Sequence, residues 1–242
     1  MVTEDNKTYF APNVTFANFL ATTDPYKIVR FYNDRIISYY FDAAESLIIP
    51  HRKEGAFAAG LICFASIDAI ASVVIGKRRK YRINKWLYDN ISEFRTLGSG
   101  IITRVYYEFR CGLVHEAKIH NAGQFSYGIN KIIEVKSDII IINPEMLLEA
   151  IKDAFSITIK DANRDIRKAI DLSNKIKGRF KADLKFVRER LCKNCRGTGK
   201  NLNTEVICEY CNGSGYDTEN RYNNELDRAD DAAYFSQNEP ID

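Results

Sequence analysis

Four cysteines stand in two pairs with the spacing of a metal site, Cys192-Lys-Asn-Cys195 and Cys208-Glu-Tyr-Cys211, twelve residues apart. Thiolates at i and i+3 can both reach one ion from a single tight turn, and Zn²⁺ prefers four soft ligands in a tetrahedron. Gly197 and Gly199 follow the first pair, and Gly213 and Gly215 follow the second. Their freedom at positive φ lets backbone amides turn towards the sulfurs. Lys193 and Arg196 add positive charge beside thiolates whose net charge with the ion bound is −2. The reading is one structural zinc on Cys192, Cys195, Cys208 and Cys211, in a small module at 191–217. Two roles are open for it. Zinc staples a segment that lacks a core of its own, or the module touches a partner.

The second constellation is Arg110 and His115, an R-x4-H spacing inside Tyr106-Tyr-Glu-Phe-Arg-Cys-Gly-Leu-Val-His-Glu116. Imidazole titrates near neutrality and serves as base or acid. Guanidinium stays charged and offers a planar fork to phosphate oxygens. Together such a pair could move a proton beside a phosphate that the arginine holds. On an ideal helix, residues five apart differ in direction by about 140°. The spacing therefore puts Arg110 and His115 on different faces, while Arg104, Glu108, Cys111 and His115 share one. Glu108 then either orients His115 or pairs with Arg104. Read without its context, His115 is a helix-end histidine held by the dipole. Asp68, in an otherwise apolar helix, reads as a hydrogen-bonded core carboxylate; the other option is a reach into the same cleft. His51 and His120 read as surface residues near helix ends.

These groups need helices to position them. Residues 1–24 read as irregular. Asp24 and Pro25 then give an N-cap and a first helical position, with Val29, Tyr32, Ile36, Tyr40, Ala43 and Leu47 inward as far as Pro50. The apolar run 56–75 is a second helix ending at Gly76. A third carries Ile83, Leu87, Asn90 or Ile91, and Phe94, and breaks at Gly98-Ser99-Gly100. A fourth runs from about 101 to 118 with Ile102, Val105, Phe109, Leu113 and Ala117 inward. Short strands follow at 125–129, 132–136 and 139–142, then a long helical stretch at 144–190, broken if anywhere at Gly178. The fold class is mainly α: a four-helix bundle at 25–120, a small β-element at 121–143, the long helix, and the zinc module.

Charge is unevenly placed. Lys175 to Lys200 holds ten basic residues and two acids, whereas 218–242 is an acidic tail. A basic segment followed by an acidic tail points to a polyanionic partner, or else is a solvated helix face. The run 56–75 has one charge, Asp68, and Lys77-Arg78-Arg79-Lys80 follows it, so its length and positive flank both fit a membrane span. A mid-membrane carboxylate costs roughly 2.5–3.5 kcal/mol, and a buried bundle helix is the expectation. No basic segment leads into an apolar one at the N-terminus, and the cysteines are paired as metal ligands rather than spread as a disulfide framework, so the expected location is the cytoplasm.

The phrase Phe109-Arg-Cys-Gly-Leu-Val-His-Glu116, on the last helix of a four-helix bundle, resembles the R-x4-6-H element of the HEPN superfamily, over roughly 25–120. That resemblance implies a metal-independent endoribonuclease with Arg110 and His115 as catalytic residues, two protomers pooling their pairs in one cleft, and a defence or toxin setting. Many members carry a polar residue such as Asn directly after the Arg, where this chain has Cys111. The alternative is therefore a non-catalytic RNA- or protein-binding module with a structural zinc. The repeat Cys-x-x-Cys-x-Gly-x-Gly resembles the cysteine-rich repeat of DnaJ-type co-chaperones over about 25 residues, with two repeats and no His-Pro-Asp signature. RNA and a second copy of the chain are the expected partners, with a protein partner possible at the zinc module or the tail.

Overall fold

The computed structural model describes residues 2–4, 7–49, 54–76, 79–197, 199–201, 206–213 and 215. The acidic tail and His51 lie outside the described residues, as do the side chains of Arg188 and Arg190. The chain divides into two compact units, one of residues 22–181 and one joining 1–21 to 182–242.

The larger unit is mainly helical. Helix α2 (Pro25–Ile36) starts as its sequence dictates, with the Asp24 carboxylate accepting from the amides of Tyr26 and Lys27. It runs through a π-helical segment, Ile37–Phe41, into α3 (Asp42–Ile48). Up to Ile36 the buried positions include the expected Val29, Tyr32 and Ile36. Beyond it they are Phe41, Ala44 and Ile48, each one residue later than the expected Tyr40, Ala43 and Leu47. A π turn holds one extra residue, so it advances the buried stripe by one.

Helix α4 (Ala56–Val74) is the bundle's central element and contacts α3, α5 (Arg79–Asn90), α8 (Pro144–Arg164) and α9 (Ile166–Arg179). Among the described residues it is the helix long and apolar enough to cross a membrane, and most of that apolar stretch is buried against its neighbours. The expected third helix is two. Extended backbone at Ile91 separates α5 from α6 (Ser92–Val105), and Arg95 caps α5 by donating to the carbonyls of Tyr88 and Asp89 at 3.1 and 2.7 Å. The expected break near 98–100 is a kink inside α6, where Gly98 takes φ 82°. A second π-helical segment, Tyr106–Cys111, leads into α7 (Gly112–Glu116), which Ala117 ends in the left-handed region. Ala117 is exposed, not inward as its spacing suggested.

The three strands expected after the bundle form one sheet. Strand β6 (Ile139–Ile142) lies between β4 (Gln124–Phe125), which is parallel to it, and β5 (Ile133–Lys136), which is antiparallel. Ser137 and Asp138, both at positive φ, make the two-residue turn. Asn143 caps α8, accepting from the amides of Glu145 and Met146. The long stretch 144–190 is three helices, broken at Asp165 and Phe180, while Gly178 stays inside α9. Asp165 ends α8 in extended backbone and caps α9 with its own carboxylate. Helices α8 and α9 pack on α2 and α4, so residues read as separate from the bundle complete it.

The smaller unit corrects the reading of 1–24 as irregular. Strands β1 (Val2–Glu4), β2 (Lys7–Ala11) and β3 (Val14–Thr15) form an antiparallel sheet, and α1 (Phe16–Ala21) follows. Phe10 stacks on Phe19 at 3.8 Å and meets Phe16 edge-on at 5.5 Å. The same unit holds most of α10 (Lys181–Arg190) and the cysteine module.

Candidate metal centre and Arg–His site

The two cysteine pairs lie on two turns of matching geometry. Arg196 and Asn212, each one residue past its pair, are left-handed, and Gly197, Gly199, Gly213 and Gly215 all have positive φ. The turns interlock reciprocally. The Cys192 amide donates to the Gly215 carbonyl at 2.8 Å, and the Cys208 amide to the Gly199 carbonyl at 2.9 Å. A Cβ at Gly199 would strike the Gly213 carbonyl, and one at Gly215 the Gly197 carbonyl. Glycine is therefore required by close approach as well as by φ.

The four Sγ atoms lie within 4.8 Å of one another, and all four cysteines are buried. Cys192 and Cys208 are 3.9 Å apart at sulfur, and Cys195 and Cys211 are 3.6 Å apart. A tetrahedron with metal–sulfur bonds of about 2.3 Å has sulfurs about 3.8 Å apart, so the donor set fits one ion. The thiols on their own are electrostatically frustrated. Burial raises the Cys195 thiol, but the amides of Gly199 and Gly197 and the neighbouring thiols bring it down to about 7. Burial and the neighbouring thiols push Cys211 up to about 12. Adjacent sulfurs cannot all ionise unless a cation joins them. The four cysteines thus form a cluster able to hold a metal ion such as zinc. Cys63 stands apart in the bundle core, its thiol pushed up to about 12 by burial.

The second site lies where the π-helical segment Tyr106–Cys111 crosses α4. Arg110 Nη1 is 3.3 Å from His115 Nε2, although a regular helix would set the two on different faces. The Gly112 amide reaches back five residues to the Tyr107 carbonyl, and that wide turn takes up one extra residue. Arg110 lies inside the wide turn, and His115 follows it in α7. Gly112 is needed here too, because a Cβ would strike the Lys118 carbonyl of the chain folding back.

Asp68 of α4 holds the arginine. Its Oδ2 lies 3.4 Å from Arg110 Nη2, and its Oδ1 accepts from Arg82 Nε at 3.0 Å. The sequence favoured a core carboxylate for Asp68; the structure places it against the Arg–His pair. One carboxylate between two guanidiniums leaves a local excess of one positive charge. Arg110 is 6% exposed, whereas His115 is exposed, so the pair reaches from the core to the surface. The Arg110 guanidinium also lies 5.9 Å from the centre of the Tyr106 ring.

Glu108 does not orient His115. It is buried, and its Oε1 accepts from Arg104 Nε at 2.7 Å. Arg104 continues to Asp138 Oδ1 at 2.6 Å, which ties the β5–β6 turn to the helix. His120 is half-buried, with Nε2 2.9 Å from Glu116 Oε1. The basic segment is partly committed to the bundle: Lys177 donates to the Thr22 carbonyl and Arg179 to Ser72 Oγ. The roles of Asp68 and Arg82 carried only a weak sequence signal, a charge in each of two helices with no way to pair them before the helices pack.

Comparison with protein-family models, with curated proteins and with solved structures finds no match to this chain.

Proposed function

We propose that the chain is an endoribonuclease of the R-x4-H helical-bundle kind, resembling the HEPN superfamily, and that it cuts RNA by attack of the 2′-hydroxyl on the adjacent phosphorus. The observation that carries this reading is the 3.3 Å approach of Arg110 to His115 over a π turn, with Asp68 behind the arginine. In the reaction the 2′-oxygen gives up its proton and bonds to phosphorus. The P–O5′ bond breaks, and a proton reaches the 5′-oxygen. The products are a 2′,3′-cyclic phosphate and a 5′-hydroxyl. His115 supplies one of the two proton transfers. Arg110, with the positive excess around Asp68, meets the charge on the phosphorane. One chain offers one such histidine, so two chains related by a two-fold axis supply base and acid together. The four-cysteine cluster holds one structural zinc outside the reacting centre. Cytoplasmic location and a defence or toxin setting complete the proposal.

The depth of Arg110 favours a second reading. A guanidinium 6% exposed and already paired, followed by Cys111 instead of a stronger donor, suits a module that binds RNA or protein without cutting.

His115→Ala and Arg110→Ala decide between them. Under the nuclease reading each abolishes cleavage, with helicity and dimerisation by sedimentation unchanged, and the wild type leaves cyclic phosphate ends. Full activity in His115→Ala removes the mechanism. A wild type that binds RNA and cuts none supports the binding module.

A further inference from the structure

A groove of about 530 Å³ lies between α5 and α6, lined by Lys80, Tyr81, Asn84, Lys85, Tyr88 and Ile102 among others. Tyr81 and Tyr88 are seven residues apart and lie on one stripe of α5, with Asn84 and Lys85 between them. Both rings are close to half exposed, at 47% and 45%, while Ile102 is buried. The groove therefore offers two aromatic faces over an apolar floor. Its cations come from the most basic part of the bundle sequence: residues 77–85 hold six Lys or Arg and no acid. Lys80 Nζ sits 3.0 Å from Tyr107 Oη, and Lys85 pairs with Asp89 at 2.7 Å.

Two series of contacts lead from the helix that lines the groove to the Arg–His pair. Arg82, which follows Tyr81, holds Asp68 and through it Arg110. Tyr107, which Lys80 contacts, lies in the π-helical segment that carries Arg110. Asn84 adds a polar element. Its amide nitrogen donates to Thr103 Oγ1 at 3.3 Å, while its Oδ1 is a buried acceptor with no hydrogen-bond partner.

We infer that this groove seats a base of single-stranded RNA beside the scissile phosphate. Tyr81 and Tyr88 stack on bases, and Lys80 meets the backbone phosphate. Aromatic faces flanked by cations over an apolar floor form the surface that single strands use, since every base has a π-face. The inference deepens the RNA-cleaving reading above and rests on it for the identity of the ligand.

The test uses the full-length protein and 2′-O-methyl oligonucleotides, which cannot be cut because the attacking hydroxyl is blocked. Fluorescence anisotropy should show that the wild type binds oligo(A), more weakly as salt is raised. Tyr81→Ala/Tyr88→Ala should weaken oligo(A) binding by roughly tenfold or more, with helicity kept, whereas Tyr81→Phe/Tyr88→Phe should bind as wild type does. Unchanged oligo(A) affinity in the double alanine variant overturns the groove. So does a double alanine variant whose only change is oligomeric state in sedimentation, because the groove would then face a second copy of the chain. Cleavage of ordinary RNA separates this failure from that of the parent reading. A wild type that cuts RNA, with a double alanine variant that binds and cuts equally well, removes the groove alone. Tyrosine-dependent binding with no cleavage keeps the groove and removes the nuclease.

Discussion

Asp68 shows how much of the Arg–His site depends on one carboxylate. It lies between Arg82 and Arg110, partly shielded from water, and without it two guanidiniums of the same sign face each other. Asp68→Asn keeps the shape and removes the charge. Leaving buried charges without a counter-ion destabilises by several kcal/mol, and part exposure reduces that here to about 2–3 kcal/mol. Under the proposed RNA-cleaving function, a loosened Arg110 would also move out of register with the phosphate, where a displacement of about 1 Å costs about 100-fold in rate. The expected result for Asp68→Asn is a lower melting temperature and a kcat reduced by that order, with KM little changed. A loss confined to melting temperature, with kcat intact, would show that Asp68 serves stability alone.

At the scale of the element, the π-helical segment Tyr106–Cys111 is the part of the helix that carries Arg110, and its role in the proposed site can be tested. A π turn is one residue more than a regular helix needs, so a single deletion inside it can restore regular geometry without disturbing either flank. The place of the deletion then matters. Removing Cys111 leaves Arg110 and His115 four apart on a regular helix, still on one face. Removing Tyr107 leaves them five apart on a regular helix, about 140° from each other. The first variant should retain RNA cleavage and the second should lose it, both with wild-type helicity by circular dichroism. Equal activity in the two would mean that the wide turn has no part in the site.

At the scale of the whole molecule, the N-terminal strands share a unit with the cysteine module. Residues 1–21 and 182–242 form one unit, and within it a Cβ on Gly197 would meet Leu191 on one side and Ala17 of α1 on the other. The cysteine turns have little apolar core, so an ion should supply much of their folding free energy. Stripping zinc with a strong chelator should therefore remove amide protection at 191–215 and also at 7–21, while α4, α8 and α9 keep theirs in hydrogen exchange. Native mass spectrometry should count one zinc per chain before treatment and none after. Protection lost at the cysteines alone would mean that the N-terminal sheet stands without the ion.

Local rules written in the sequence account for much of this. The Asp24 and Asn143 caps, the Ser137-Asp138 turn and the mainly helical class follow from contacts between near neighbours. The cysteine cluster was legible for the same reason, since two tight turns fix each pair of thiols before any long-range packing. What near neighbours do not set was decided by tertiary structure. Periodicity assumes a constant turn, so it misplaced the buried stripe after Ile36, which a π turn within a continuous helix advances by one residue. Nor did it bring Arg110 and His115 together, which a contact between long side chains does. The first strands read as irregular because their pairing is short and their aromatic cluster belongs to a unit shared with the other end of the chain. The partners of Arg110 are 28 and 42 residues away in α5 and α4, if Arg82 is counted through Asp68, and no spacing within one helix encodes them. They meet because the apolar faces of α4, α5 and the Arg110 helix are buried together, and burial brings the few charges on those faces to a common point.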